Sequence, residues 1–348
     1  MKFSNMITVV GAHAEGEVGR VVTGGTLPPP GNTLYDQAMY LWRNFDGFRK
    51  FLLYEPRGGA FVHANLIVPP KSPKADAGFI IMEAEDYPSM SGSNCICVTT
   101  VLLETGMVKM KEPVTELVLE TPGGLVDVVA ECEASKCKKV KLTNVPSYAA
   151  LLDAKIKVPD IGTLTVDVGF GGAFFLHVDA AQFGFEIDKP EARKLVEMGE
   201  KIKRSAREQL EVKHPDFPDP EFNQIAFTQF TLPPESIGGV KSARNTVVVS
   251  PGKLDRSPCG TGTSARMAVM HAKGEIETGE DFVSRSVIGS RFDCKVESET
   301  TLSNGTTAIR PSIAGRGWIT GFHNYVLDPE DPWSEGYTVS DTWFTALD

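Results

Sequence analysis

Val, Ile, Thr and Phe gather in short runs along this chain, at Ile7–Val10, Phe79–Met82, Thr115–Glu120, Lys139–Leu142 and Thr246–Ser250. Gly and Pro punctuate the runs, so they predict short strands in a sheet-rich fold. Helix-like spacing is confined to a few segments. Thr33–Phe45 predicts one helix. Lys189–Lys203 predicts another, which opens after Asp188-Lys189-Pro190 and is so densely charged that it belongs on the surface. Two further helices are predicted from Ser93 or Asn94 and from near Thr261. They end at Gly106 and Gly274, and glycine just past a helix end readily accepts the left-handed conformation needed there.

The last two helices align with one another. Ser91 falls on Cys259, Gly92 on Gly260, Val101 on Val269 and Gly106 on Gly274, all at one offset of 168 residues. The match predicts an internal duplication, with each half offering a small residue, a glycine and a helix N-terminus. No short solenoid repeat is present. The stretch Gly315–Trp333 holds Trp318, Ile319, Phe322, Tyr325 and Val326, and predicts a packed segment that returns to the first half.

Composition narrows the function classes. A chain of 348 residues is long enough for two domains. With 41% hydrophobic and 23% charged residues it reads as globular rather than disordered. The net charge of −10 argues against a nucleic-acid surface, which needs clustered Lys and Arg. No apolar run approaches the roughly 20 residues needed to cross a bilayer. The first 17 residues lack the apolar core of a signal peptide. These features predict a cytoplasmic protein with neither membrane nor nucleic-acid partner. The six cysteines are too sparse for a disulfide scaffold, and neither Cys95/Cys97 nor Cys132/Cys137 has zinc-site spacing. Buried free thiols in a reducing compartment account for most of them.

Cys259 differs, because it stands just before Gly260-Thr261-Gly262-Thr263 and a helix. A helix N-terminus carries unpaired N–H groups and about half a positive charge, so it binds anions and is expected to lower a cysteine pKa. Taken alone, the position suits a catalytic thiol and a merely buried one equally. Ser91-Gly92-Ser93-Asn94 repeats the arrangement with a hydroxyl in place of the sulfur. An ordinary capped helix would look the same. The two copies together suggest a ligand carboxylate clamped by two helix N-termini.

The stretch Asp255-Arg256-Ser257-Pro258-Cys259-Gly260-Thr261-Gly262-Thr263-Ser264-Ala265 resembles the second catalytic motif of proline racemases and hydroxyproline epimerases. Met90-Ser91-Gly92-Ser93 falls where the racemases carry Met-Cys-Gly-His. Glu55-Pro56-Arg57-Gly58, Glu120-Thr121-Pro122-Gly123-Gly124, Phe170-Gly171-Gly172 and Trp318-Ile319-Thr320-Gly321-Phe322-His323 match as well, so the resemblance to the proline racemase superfamily spans nearly the whole chain. It implies an α/β (α+β) fold of two similar domains of the diaminopimelate-epimerase type. Each would be a curved, mostly antiparallel sheet around a central helix, with the active site in the cleft between them. The expected boundaries are 1–147, with 310–348 returning to it, and 148–309. By the motif match, Gly92, Ser93, Gly260 and Thr261 would bind a substrate carboxylate and Asp255 the ring nitrogen, with Asn94 a weaker candidate.

One departure bears on the reaction. Racemases of this family set a cysteine on each face of Cα, whereas here the first is Ser91 and the following His is Ser93. A hydroxyl is a far weaker acid than a thiol, so two-base racemisation is put in doubt. Dehydration needs less symmetrical equipment, since a hydroxyl can hydrogen-bond or pass a proton to a departing hydroxyl. The resemblance therefore implies a trans-3-hydroxy-L-proline dehydratase giving Δ1-pyrroline-2-carboxylate. Cys259 would be its principal acid/base and Ser91 the opposing hydroxyl. The alternatives are a 4-hydroxyproline 2-epimerase (or proline racemase) and, of another class, a non-catalytic imino-acid binding protein. The implied partner is a small imino acid, with a homodimer left open, and neither cofactor nor metal is called for. His13, His63, His177, His214, His271 and His323 show no metal-motif spacing, and none is singled out as the base a cysteine hydrolase would need.

Overall fold

The structure, a computed structural model, describes residues 3–216 and 223–343. The fold is mixed α/β, rich in strands and poor in helices, and the chain divides into two compact units. One comprises the chain up to Leu142 together with the part from Gly315 onward, and the other is Thr143–Ala314. Residues 310–314 thus fall in the second unit.

In the first unit Phe3–Ala14 pairs antiparallel with Glu17–Thr26 on one side and Gly317–Val326 on the other. Glu17–Thr26 runs parallel to Val62–Val68, which pairs antiparallel with Ala77–Met82. Ala77–Met82 in turn meets Val114–Thr121, the first strand of a meander through Gly124–Glu133 to Lys136–Thr143. Helices α1 (Leu34–Asn44) and α2 (Gly47–Leu53) close a core built on Ile7, Val9, Phe48, Phe51 and Ile80. Thr33 starts α1 with a capping box, its side chain accepting from Asp36 N–H while Asp36 accepts from Thr33 N–H.

Helix α3 (Gly92–Glu104) is buried from Gly92 through Leu103. Its apolar residues surround the axis instead of forming a stripe, which is the pattern of an enclosed helix. It packs on the strands Phe3–Ala14, Glu17–Thr26, Val62–Val68 and Gly317–Val326. The backbone approach is close: a Cβ on Gly19 would lie 2.9 Å from Cys97 Sγ.

The second unit opens with the meander Tyr148–Val158, Gly162–Phe170 and Phe174–Asp179. Phe174–Asp179 lies parallel to Ile225–Thr231, which pairs antiparallel with Val240–Val249. Val240–Val249 also runs parallel to Asp281–Arg285, and Arg291–Thr301 and Thr307–Gly315 follow antiparallel. Strand alternation divides the labour on Phe174–Asp179. Phe174, Leu176 and Val178 join the core under α4 (Ala192–Gln209), while Phe175 packs with Cys259 and Ala265 of the α5 (Gly260–Ala272) region.

Local differences from the sequence expectations have simple causes. A 3-10 turn, Lys189–Glu191, precedes α4, and α4 runs on to Gln209 because Leu195, Val196 and Ile202 keep one face buried. Helices α3 and α5 begin at the glycines, so Ser91 and Cys259 are the N-cap residues. The C-terminal strand Gly317–Val326 is paired through its backbone, yet Phe322 is 71% and Val326 60% exposed. They share the face of the strand that carries exposed Trp318, Thr320 and Asn324, while Tyr325 on the other face packs against the core. Among the described residues no helix is long and apolar enough to cross a membrane.

Candidate active site

The two aligned helices match in form. Each has 13 residues. Thr105 N–H reaches Leu103 O and Val101 O, and Lys273 N–H reaches His271 O and Val269 O. Gly106 and Gly274 follow at φ of 76° and 72°. The offset of 168 therefore holds from the N-cap to the closing glycine.

At the start of α3, Ser91 does not use its hydroxyl to cap the backbone. The first helical bond runs from Cys95 N–H to Ser91 O, so the N–H groups of Gly92, Ser93 and Asn94 are donors at the helix end. Ser91 Oγ instead accepts from the Asn94 side-chain NH₂ at 2.9 Å and lies 3.4 Å from Ser93 Oγ. Behind it stands a polar cluster that spacing gave no means of finding. Asn65 NH₂ donates to Asn94 Oδ1 at 2.8 Å, and Asn94 Nδ2 is 3.3 Å from His63 Nδ1. His63 in turn faces Glu17 Oε1 at 3.3 Å from Nε2 and Glu83 Oε1 at 3.4 Å from Nδ1. All five side chains of the cluster are buried. They come from two strands, a loop and α3, so no local pattern links the whole set.

At the start of α5, Cys259 takes φ 61°, ψ 105°, a conformation non-glycine residues rarely adopt. The surrounding loop holds it there. Ser257 donates from its N–H and its hydroxyl to Asp255 Oδ1 at 2.8 and 2.9 Å, and Cys259 N–H donates to Ser257 Oγ at 3.1 Å. Pro258 O accepts from Asn245 NH₂ at 2.8 Å and from Thr263 Oγ1 at 3.0 Å. Cys259 Sγ accepts from Gly262 N–H at 3.4 Å and lies 3.7 Å from Thr261 Oγ1. Gly171 closes in from the strand side. A Cβ there would overlap the Thr261 carbonyl oxygen and stand 2.6 Å from Ala265 N. The Phe170-Gly171-Gly172 stretch thus makes room for the first turn of α5.

The expected lowering of the Cys259 pKa is corrected. Burial, and after it the Asp255 carboxylate, push the thiol well above its ordinary value; Gly262 N–H and Thr261 pull the other way without offsetting them. The helix end does supply a donor to the sulfur, but desolvation of the charged form is the larger effect. These effects together favour the protonated thiol at neutral pH.

The other histidines make structural contacts. His13 Nδ1 accepts from Gly16 N–H at 3.2 Å and its ring stacks on Trp318 at 5.0 Å. His271 meets Glu299 at 3.2 Å. His177 lies buried on the same strand as Phe175, and burial holds its pKa down to about 3.

Comparison with known proteins establishes the family and the fold. A hydroxyproline epimerase from Agrobacterium vitis, solved with bound trans-4-hydroxy-L-proline, superposes at a TM-score of 0.91 with 40% identity, over 99% of either chain. A probable proline racemase from Agrobacterium radiobacter K84, solved with carbonate, gives 0.90 and 41% over 97% of this chain and 98% of that one. A PhzF-family phenazine biosynthesis protein from Bacillus anthracis shares the fold alone, at 0.54 and 12% over 93% and 99%. The family model for proline racemase matches residues 9–338, and the chain belongs to the proline racemase family.

Proposed function

We propose that the protein is a trans-3-hydroxy-L-proline dehydratase acting at Cα of the imino acid. The observation that carries this reading is the asymmetry of the two equivalent N-cap positions, one a thiol and the other a hydroxyl. The substrate carboxylate takes the N–H groups of Gly92, Ser93, Gly260 and Thr261, and the ring ammonium faces Asp255. Burial and, after it, the Asp255 carboxylate raise the Cys259 pKa; the ammonium offsets the second of these, so substrate binding shifts the thiol toward the thiolate.

Stereochemistry lets one thiol serve the elimination. In trans-3-hydroxy-L-proline the Cα hydrogen and the C3 hydroxyl lie on the same ring face. The Cys259 thiolate takes the Cα proton, the C–H pair forms the C2–C3 double bond, and the C3–O bond breaks. The new thiol gives its proton to the departing oxygen, which leaves as water and restores the thiolate. The enamine tautomerises to Δ1-pyrroline-2-carboxylate. Helix-end N–H groups and the ring ammonium held by Asp255 stabilise the negative charge that develops, and loss of one such donor commonly costs about 10²–10³ in rate.

A second reading, 4-hydroxyproline 2-epimerase, is favoured by the 40% identity to the Agrobacterium vitis epimerase. It requires Ser91 to deliver a proton to the opposite face. The test is to incubate the protein with trans-3-hydroxy-L-proline and, separately, trans-4-hydroxy-L-proline in D₂O, following both by NMR. Conversion of the 3-hydroxy compound to Δ1-pyrroline-2-carboxylate supports dehydration. Deuterated epimer from the 4-hydroxy compound alone replaces it with epimerisation. Binding without turnover or α-proton exchange leaves an imino-acid binding protein.

A further inference from the structure

The cluster behind Ser91 constrains which way its proton can travel. The orientation of the Asn94 amide follows from constraints that begin at the backbone. The Arg20 carbonyl oxygen can only accept, so Asn65 turns its NH₂ toward it, at 3.2 Å. The same nitrogen lies 2.8 Å from the Asn94 side-chain oxygen. Asn94 therefore turns its own NH₂ the other way, toward Ser91 Oγ at 2.9 Å and His63 Nδ1 at 3.3 Å. Gly19 leaves the room for this, since a Cβ there would stand 2.8 Å from Asn94 Oδ1.

We propose that Asn94, steadied by His63 and Asn65, is a positioning residue that makes Ser91 a proton donor, and that this donor serves the opposite face of Cα in epimerisation. The inference rests on the reading of the protein as an imino-acid enzyme. An N–H aimed at Oγ occupies a lone pair, lowers the basicity of the oxygen and stabilises the charge left when its own proton departs. Among the described residues the side chains hydrogen-bonded to Ser91 Oγ are the Asn94 amide and the Ser93 hydroxyl, and neither is a base. The hydroxyl is thus suited to giving a proton and poorly suited to taking one. His63 Nδ1 lies 3.3 Å from Asn94 Nδ2 and 3.4 Å from Glu83 Oε1, and its Nε2 faces Glu17, so the ring backs the Asn94 amide from the side away from Ser91.

The step balances. The Cys259 thiolate removes the Cα proton, breaking C–H and forming S–H. The carbanion takes the Ser91 proton on its other face, breaking O–H and forming C–H. The oxyanion left on Ser91 is held by Asn94 N–H and the start of α3 until the thiol proton returns to it through solvent.

The test compares two rates on the same preparations: epimerisation of trans-4-hydroxy-L-proline and dehydration of trans-3-hydroxy-L-proline. Asn94→Asp keeps the shape and removes the N–H donors, and Asn94→Ala removes the side chain. Both are expected to lower the ratio of epimerisation to dehydration by about 10²–10³. Ser91→Ala is expected to lower it as far, with no further fall when Asn94→Ala is added, because the two act as one unit. Thermal unfolding and binding of pyrrole-2-carboxylate check that the site survives. Equal loss of both rates, or additive losses in the double variant, would make Asn94 a structural residue and overturn the proposal. A wild-type protein that dehydrates but does not epimerise would overturn it while leaving the dehydratase reading intact. A wild-type protein that does neither would sink both.

Discussion

Asp255→Asn separates two effects that the structure ascribes to one carboxylate. Asp255 is 7% exposed, and its Oδ1 already accepts from Ser257 N–H and Oγ. An amide oxygen can accept the same two bonds, so the loop that holds Cys259 keeps its shape and the change is chiefly one of charge. Losing one partner of a buried hydrogen-bonded charge pair costs about 2–5 kcal/mol. At about 1.4 kcal/mol per decade, that weakens imino-acid binding roughly 30- to 4,000-fold. The thiol moves oppositely. Asp255 is the main cause, after burial, of the raised Cys259 pKa, so its removal lowers that pKa and enlarges the thiolate fraction. The thiolate is the nucleophile, so iodoacetamide modifies Cys259 faster in the variant. Burial pushes Cys95 and Cys137 up to about 12, which keeps them slow in both proteins. The assay is ligand titration by calorimetry beside peptide-resolved mass spectrometry of alkylation. Unchanged affinity would refute the ammonium contact, and slower alkylation in a protein with unchanged melting would refute the electrostatic account.

Three further expectations follow from particular contacts. Gly171→Ala forces a Cβ against the backbone of α5, where nothing flexible can yield; overpacking of this kind costs about 1–3 kcal/mol, seen as a lower melting temperature. Unchanged melting would mean the strand moves aside. Cys259→Ala lowers dehydration and α-proton exchange by about 10²–10⁴, measured by NMR in D₂O, and retained exchange would place the base elsewhere. His177 is held near 3, below the ordinary 6.5, first by desolvation and then by Arg266 and Lys273. The unfolded chain binds this proton below about pH 6.5 and the native chain does not until about pH 3, so stability falls as pH drops through that window. The contribution is about 1.4 kcal/mol per pH unit. His177→Gln flattens the dependence in urea unfolding between pH 7 and 4, and an unaltered slope would contradict the buried neutral imidazole.

Much of the local architecture was written in short stretches of sequence. Thr33 with Asp36, Asp188 with Pro190, and the glycines 106 and 274 mark helix ends through contacts within a few residues. The duplication at an offset of 168 was likewise visible in Ser91-Gly92 and Cys259-Gly260, because a buried helix end imposes small residues wherever it recurs. The same motif match singled out Cys259 and Asp255, which the fold sets in one braced loop.

Through-space effects were not legible. Phe322 and Val326 look like core residues in sequence, yet lie on the exposed face of a strand whose other face packs inward through Tyr325. The helix end before Cys259 suggests a thiolate, but burial and Asp255 decide for the thiol. Ser91 carries no sign of its surroundings, because Asn65, His63, Glu17 and Glu83 gather behind Asn94 only after two strands and a loop have come together with the helix. Caps, turns and periodicity act between near neighbours, so the sequence by itself determined them. Proton affinity and hydrogen-bond direction depend on desolvation and on charges brought close from distant segments, and those only the tertiary structure decided.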